Sequence, residues 1–330
     1  MASVDGLADD GGQSKRENEM NSKLSCILIK QFRWIFLFLL VVPAHGQSDI
    51  NLTGAIDTRV HSSPDNVARP MDADDLARLA KKNGIRGLVL TNHWESTAAI
   101  AYKVRKEVPG IEIFGGIILD QSVGGINVEA VKRMTMMKGA WGRVVSLPTF
   151  DAENFASFVK KEGRFDYGIP TAIPVSKDGQ LLPSVLELID FIAQHHELVL
   201  ETGHVWAKEA LMVIHEAHQR GVIHIVVTGA MDGEQDMTIP QMQQAAHDGA
   251  YVAFAHEGSR HTMSEFAEAI RNVGPKFCIL NTNFGTRKNS PLHPQVLLDF
   301  MEALHKEGIS VADINLMAKT NPALALGLEP

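Results

Sequence analysis

From residue 54 onward, short apolar runs alternate with longer stretches in which apolar residues recur every three or four positions. The runs are residues 54–60, 85–90, 111–119, 142–147, 198–202, 222–228, 250–255 and 277–280. Each has the length of a strand, and few polar residues interrupt it, as in strands buried on both faces of a parallel sheet. The stretches 72–83, 96–107, 127–138, 184–195, 207–220, 239–248, 263–272 and 293–306 carry helical spacing; in the first, Leu76, Leu79 and Ala80 form one stripe. Gly84, Gly139, Gly221, Gly249, Gly274 and Gly308 follow helical stretches, at the position where a left-handed cap is favoured. Eight strand–helix units predict an α/β fold, a (β/α)8 TIM barrel. A doubly wound open sheet has the same periodicity and is the alternative. One excursion breaks the rhythm after strand four, at residues 148–183, with a helical stretch at 152–161 and a tight turn at Lys177-Asp178-Gly179. In a barrel it lies at the C-terminal face, where it could act as a lid.

The chain before residue 47 reads differently. Residues 1–19 are polar and aperiodic, a disordered preface or a start placed upstream of Met20. Residues 20–46 have the layout of a secretory signal: Lys23, Lys30 and Arg33, then nine apolar residues from Trp34 to Val42, then Pro43 and Ala44-His45-Gly46. Nine residues fall short of the roughly 20 that span a bilayer. The expectation is a secreted or periplasmic protein without stable membrane association after cleavage, residues 47–330 forming one barrel domain; an uncleaved anchor is the alternative. The composition, 45% hydrophobic and 21% charged, is that of a soluble globular protein. A formal net charge of −8 argues against nucleic acid as a partner, and two cysteines exclude a disulfide framework. A small-molecule substrate remains the expected partner, and a homo-oligomer is compatible with the chain.

Active-site groups of a TIM barrel stand at the C-terminal ends of its strands. Four of the 14 histidines fall at such exits: His61, His93, His204 and His256. Neutral imidazole is a common zinc ligand, and three protein ligands plus water make a hydrolytic site. The exits also carry Arg59, Trp94 and Asn283.

The opening Asp57-Thr58-Arg59-Val60-His61-Ser62-Ser63-Pro64-Asp65 resembles the Asp-x-His-x-His, Ser/Thr-x-Pro-Asp start of a branch of the amidohydrolase-like, metal-dependent TIM barrels. The resemblance continues through Gly87-Leu88-Val89-Leu90-Thr91-Asn92-His93, Phe114-Gly115-Gly116, Val123-Gly124-Gly125-Ile126-Asn127, Thr202-Gly203-His204, Val226-Val227-Thr228 and Asn321-Pro322-Ala323. It implies a TIM barrel that hydrolyses an amide, ester or lactone bond of a small molecule with divalent metal. Against that pattern, four positions depart. The family's first metal histidine is Arg59, the lysine before the strand-two histidine is Thr91, the strand-six histidine is Gly229 and the strand-eight aspartate is Asn283. His61, His93 and His204 remain.

These losses remove anionic ligands and add a permanent positive charge, since arginine stays protonated. A guanidinium beside a dication costs on the order of several kcal/mol even at an effective dielectric near 20. The expectation is therefore a degenerate site holding at most one divalent ion, zinc on His61, His93 and His204, or none. Catalytic groups would be His93 and His204 as general acid or base and Arg59 as electrophile, with Asn283, His256 and Trp94 on the substrate. The alternative is a catalytically inactive relative that binds a small anion, Arg59 replacing the metal charge.

Overall fold

The computed structural model describes residues 50–65, 67–163, 172–255, 257, 259–285 and 292–330. The signal and preface expected before residue 47 lie outside the described residues. Residues Asp49–Pro330 form one compact unit. No helix among the described residues is long and apolar enough to cross a membrane.

Eight parallel strands follow one another around a sheet: β1 (Ile56–His61), β2 (Gly87–Thr91), β3 (Glu112–Ile118), β4 (Gly142–Ser146), β7 (Val199–Glu201), β8 (Ile225–Val227), β9 (Tyr251–Ala255) and β10 (Cys278–Asn281). The two-stranded β5 (Ser176–Lys177) and β6 (Gln180–Leu181) belong to the excursion. Helices alternate with the eight strands: α1 (Ala73–Lys82), α2 (Ala98–Glu107), α3 (Val128–Thr135), then α4 (Glu153–Glu162) and α5 (Pro183–Ala193) between β4 and β7. α6 (Ala207–Gln219), α7 (Ile239–His247), α8 (Met263–Val273) and α9 (Gln295–Lys306) complete the ring. The fold is the expected TIM barrel. Every expected strand is present, and Asp178 and Gly179, at φ 52° and 78°, make the tight turn between β5 and β6.

Two apolar layers explain the strand composition. Ile56, Val89, Phe114, Val144, Val199, Val226, Ala253 and Ile279, one from each of the eight strands, fill the barrel interior. The opposite faces of the strands pack against the helix stripes, where Leu76, Ala77 and Ala80 of α1 are fully buried. This is why the strands read as continuous apolar runs: both faces are dry. The sequence reading did not anticipate α10 (Val311–Asn315) and α11 (Asn321–Ala325), short helices joined by a π-helical turn at Leu316–Thr320. Ala323, Ala325 and Leu326 join the inner layer, and Asn321 Nδ2 donates to the carbonyls of Pro275 and Cys278 at 2.8 and 2.7 Å. The C-terminal segment thus tucks under the strands.

β1 and β10 meet through a single backbone bridge, Val60 to Phe284, beyond the end of β10. Side chains make the rest of the seam. The fully buried Asp57 carboxylate accepts from Thr282 N at 3.2 Å, Thr282 Oγ at 2.6 Å and His293 Nε2 at 3.1 Å, and also from Arg59 N at 3.2 Å. Asn281 Nδ2 adds a bond to Thr58 Oγ at 3.2 Å. Charge-assisted bonds in a dry setting lose heavily when one partner is changed. Asp57→Asn is expected to destabilise the barrel by about 2–4 kcal/mol, read as a lower urea midpoint at unchanged slope.

Candidate functional site

The strand exits bring Arg59, His61, His93, His204 and Asn283 together, all buried. β1 presents Arg59 and His61 two residues apart, hence on one face. The ring of His93 stacks on His61 at 5.0 Å between centroids and lies 6.4 Å from that of His204. The excursion covers them: Phe150 stacks on His93 at 3.8 Å, and Phe155 lies 5.3 Å from His204. His204 is placed by a glycine. Gly203 has φ 60°, and a Cβ there would stand 2.3 Å from Leu147 O. Trp94 is half-buried, its indole N–H enclosed without a partner. His256 lies outside the described residues.

Hydrogen bonds assign a role to each imidazole. An Arg59 Nη2 N–H donates to His204 Nε2 at 3.0 Å, so that nitrogen is the acceptor and the proton sits on Nδ1, which is buried without a partner. His61 Nδ1 faces Thr91 O at 3.2 Å and Nε2 faces the Asn283 amide at 3.1 Å. Both partners are carbonyl oxygens, Oδ1 in the case of Asn283, so the neutral ring donates its one N–H to one of them. His93 differs. Thr149 Oγ donates to Asp120 Oδ2 at 2.8 Å, so it accepts from His93 Nδ1–H at 2.7 Å. The Nε2 lone pair of His93 is left for a ligand. Asp120 is held in turn by backbone N–H groups of Thr149, Phe150 and Asp151 at 2.8, 3.3 and 3.2 Å.

The surroundings keep these rings neutral. Burial lowers His61, His93 and His204 well below the ordinary histidine value, and the charges of Arg59 and, for His61 and His93, Arg69 push the same way. Carboxyls in the same region move up. Burial takes Asp120 and Glu201 to about 7, the latter against the attraction of Arg59. Asp232 is raised well above the carboxylate range by burial and then by Glu234, with Arg59 opposing.

Strand order and spacing did not reveal Asp232, Thr149 or His293. Gly229 has φ 50°, and a Cβ built on it would lie 2.0 Å from Asp232 Oδ2. The carboxyl of Asp232 fills the space where the sixth-strand histidine of the resembled family would begin. Thr149 could have been found by reading the exit of strand four as the other exits were read.

This donor set does not fit the expected ion. A zinc held by His61, His93 and His204 needs three ligand nitrogens around one point. Among the described residues, the only three His, Cys, Asp or Glu side chains with ligand atoms within 4.8 Å of one another are Asp72, Asp74 and Asp75, a partly exposed group. His204 Nε2 already accepts from a cation. In this arrangement the three histidines are hydrogen-bonded imidazoles.

A family model described as a family of unknown function (DUF6282) matches residues 54–253. No curated protein matches the chain. Among solved structures, the chain is similar to an organophosphorus hydrolase from Deinococcus radiodurans (15% identity, 83% of this chain and 92% of that one, TM-score 0.56). It is also similar to a putative 2-pyrone-4,6-dicarboxylic acid hydrolase from Pseudomonas putida (13%, 85% and 100%, 0.55) and to an amidohydrolase from Pseudomonas aeruginosa (14%, 82% and 95%, 0.53). These likenesses establish the fold as the barrel that amidohydrolase-like hydrolases use.

Two outcomes test the site. Gly229→His should cost about 2 kcal/mol or more in thermal stability and bring no metal uptake, because its Cβ has no room. Glu201→Gln tests the burial of charge. The folded wild type binds the Glu201 proton more tightly than the unfolded chain does, so it loses stability as pH rises from about 5 through 7. Between pH 5 and 8 the variant should gain about 2–3 kcal/mol on wild type, measured by urea denaturation at both values.

The chain belongs to the family of unknown function DUF6282.

Proposed function

We propose that this chain is a hydrolase of a small molecule bearing an amide, ester or lactone bond, and that a guanidinium serves where related barrels would place metal. The observation that carries the reading is Arg59, 4% exposed and bonded to His204 Nε2 among the strand exits. Its remaining N–H groups can polarise a carbonyl oxygen and stabilise the oxyanion that forms as water adds to the carbonyl carbon. His93 is the base. Its Nε2 accepts the proton of the attacking water, while Nδ1–H stays on Thr149 and, through it, on Asp120. The same proton is then delivered to the departing nitrogen or oxygen as the carbonyl carbon releases it. His204 holds the guanidinium in place, and Asn283 holds His61 against His93.

A panel of esters, lactones and amides, the pyrone dicarboxylate named in the Pseudomonas putida neighbour included, tests this with the full chain. Turnover should survive chelator, fall about 10²–10³-fold in Arg59→Gln and about 10²–10⁴-fold in His93→Gln. Zinc analysis should give well under one equivalent. Turnover abolished by chelator and restored by zinc would overturn the role of Arg59. Absence of turnover with retained binding of small anions would instead favour the non-catalytic binding module.

A further inference from the structure

One hydroxyl joins the proposed base to a carboxyl. Thr149 Oγ lies 2.7 Å from His93 Nδ1 and 2.8 Å from Asp120 Oδ2, and all three residues are buried. Phe150 stacks on the His93 ring at 3.8 Å with 12° between the planes, which holds the Nδ1 edge against the hydroxyl. A hydroxyl has one proton to give, so it cannot donate to both neighbours at once. The direction of one hydrogen bond therefore fixes the direction of the other.

Two arrangements satisfy the chain. With Asp120 ionised, the hydroxyl donates to Oδ2, Nδ1–H donates to the hydroxyl, and Nε2 of the neutral ring is bare. With Asp120 protonated, the acid proton sits on Oδ2, because Oδ1 faces the backbone N–H groups of Thr149 and Asp151 at 2.8 and 3.2 Å. Oδ2–H then donates to the hydroxyl, the hydroxyl donates to Nδ1, and the ring carries its proton on Nε2. The same heavy atoms serve both arrangements; only the protons differ.

We infer that Thr149 relays a proton between His93 and Asp120, so that the proton His93 gains at Nε2 is matched by one stored on the carboxyl. This rests on the hydrolase reading, in which Nε2 takes the proton of the attacking water, and extends it. Once that proton has arrived, the Nδ1–H bond breaks and its proton forms a bond to Thr149 Oγ, while the hydroxyl's own proton passes to Asp120 Oδ2. An imidazolium and a carboxylate become a neutral ring with Nε2–H and a neutral acid, with no proton gained or lost. When Nε2–H is delivered to the leaving group, the two shifts run backwards. The surroundings favour this order. Burial, with Arg69 and Arg59, opposes a charged His93 ring, whereas burial and the neighbouring Asp151 raise Asp120 to about 7 against the bonds from Thr149. Thr149 and Asp120 are thus positioning residues that act through His93.

The tautomer of His93 reads the relay without any substrate. Nitrogen-15 spectra of the histidines of the full chain at pH 8, with His93 assigned by its loss in His93→Gln, should show Nδ1–H and a bare Nε2. Asp120→Asn copies the protonated acid: its amide oxygen takes the backbone N–H groups of Thr149 and Asp151, and its own N–H donates to the Thr149 hydroxyl. Nε2 should then shift from the range of a bare ring nitrogen to that of a protonated one, and Nδ1 the reverse. Adding Thr149→Val to Asp120→Asn should abolish that shift, and Thr149→Ser in its place should restore it. Should Asp120→Asn fail to fold, Thr149→Val alone should let the ring populate both tautomers where the wild type and Thr149→Ser show one. A His93 tautomer unmoved by Asp120→Asn, moved equally without the hydroxyl, or single and unchanged in Thr149→Val overturns the relay. If turnover is still lost in His93→Gln, the hydrolase reading survives any of those results. A relay seen in a chain that turns over no ester, lactone or amide removes the hydrolase reading alone.

Discussion

A guanidinium that is shut away from water and always charged has to be answered by its surroundings, and the barrel mouth is organised around that demand. His204 gives Arg59 a lone pair, and Glu201 and Asp232 lie close enough to feel its charge. The imidazoles nearby stay uncharged because burial disfavours a charged ring, and the neighbouring arginines repel a further positive charge. A metal ion would place further cationic charge in the same space. In the reading proposed here, hydrogen bonds and a fixed charge serve instead, with His93 as the base.

The same few residues close the barrel and shape its mouth. Asp57 grips Thr282 across the β1–β10 seam and also takes the backbone N–H of Arg59. Asn283, the next residue after Thr282, touches His61. Closure energy and site geometry are therefore linked: a change that loosens the seam also moves the groups that would act on a substrate. In TIM barrels this overlap is eased by placing stability at the far end. Here the C-terminal segment does that, with Leu326 and Ala325 completing the inner layer.

Most of the architecture was legible in the chain because it follows from periodicity. Strands dry on both faces read as apolar runs, and the Asp178-Gly179 turn announces itself through its left-handed backbone. The convergence of His61, His93 and His204 was legible too, since strand exits share one end of a barrel. What was hidden depends on contacts distant in sequence. No local pattern says that Thr149 bridges His93 to Asp120, or that His293 bonds a carboxylate 236 residues earlier. The hydrogen bonds of the histidines were hidden for a related reason: counting surviving histidines does not tell which of their nitrogens already have partners. α11 escaped notice because it is five residues long and begins at Asn321-Pro322, a pair that usually breaks structure.

Gly229 and Asp232 illustrate how one missing side chain ties two positions together. The carboxyl stands where a β-carbon would have to go, so neither position can revert alone. Through descent the pair should behave as a single character: lineages would keep a glycine with an acid three residues on, or a bulkier sixth-strand residue with that turn redirected. A hybrid of the two would be frustrated at the centre of its barrel.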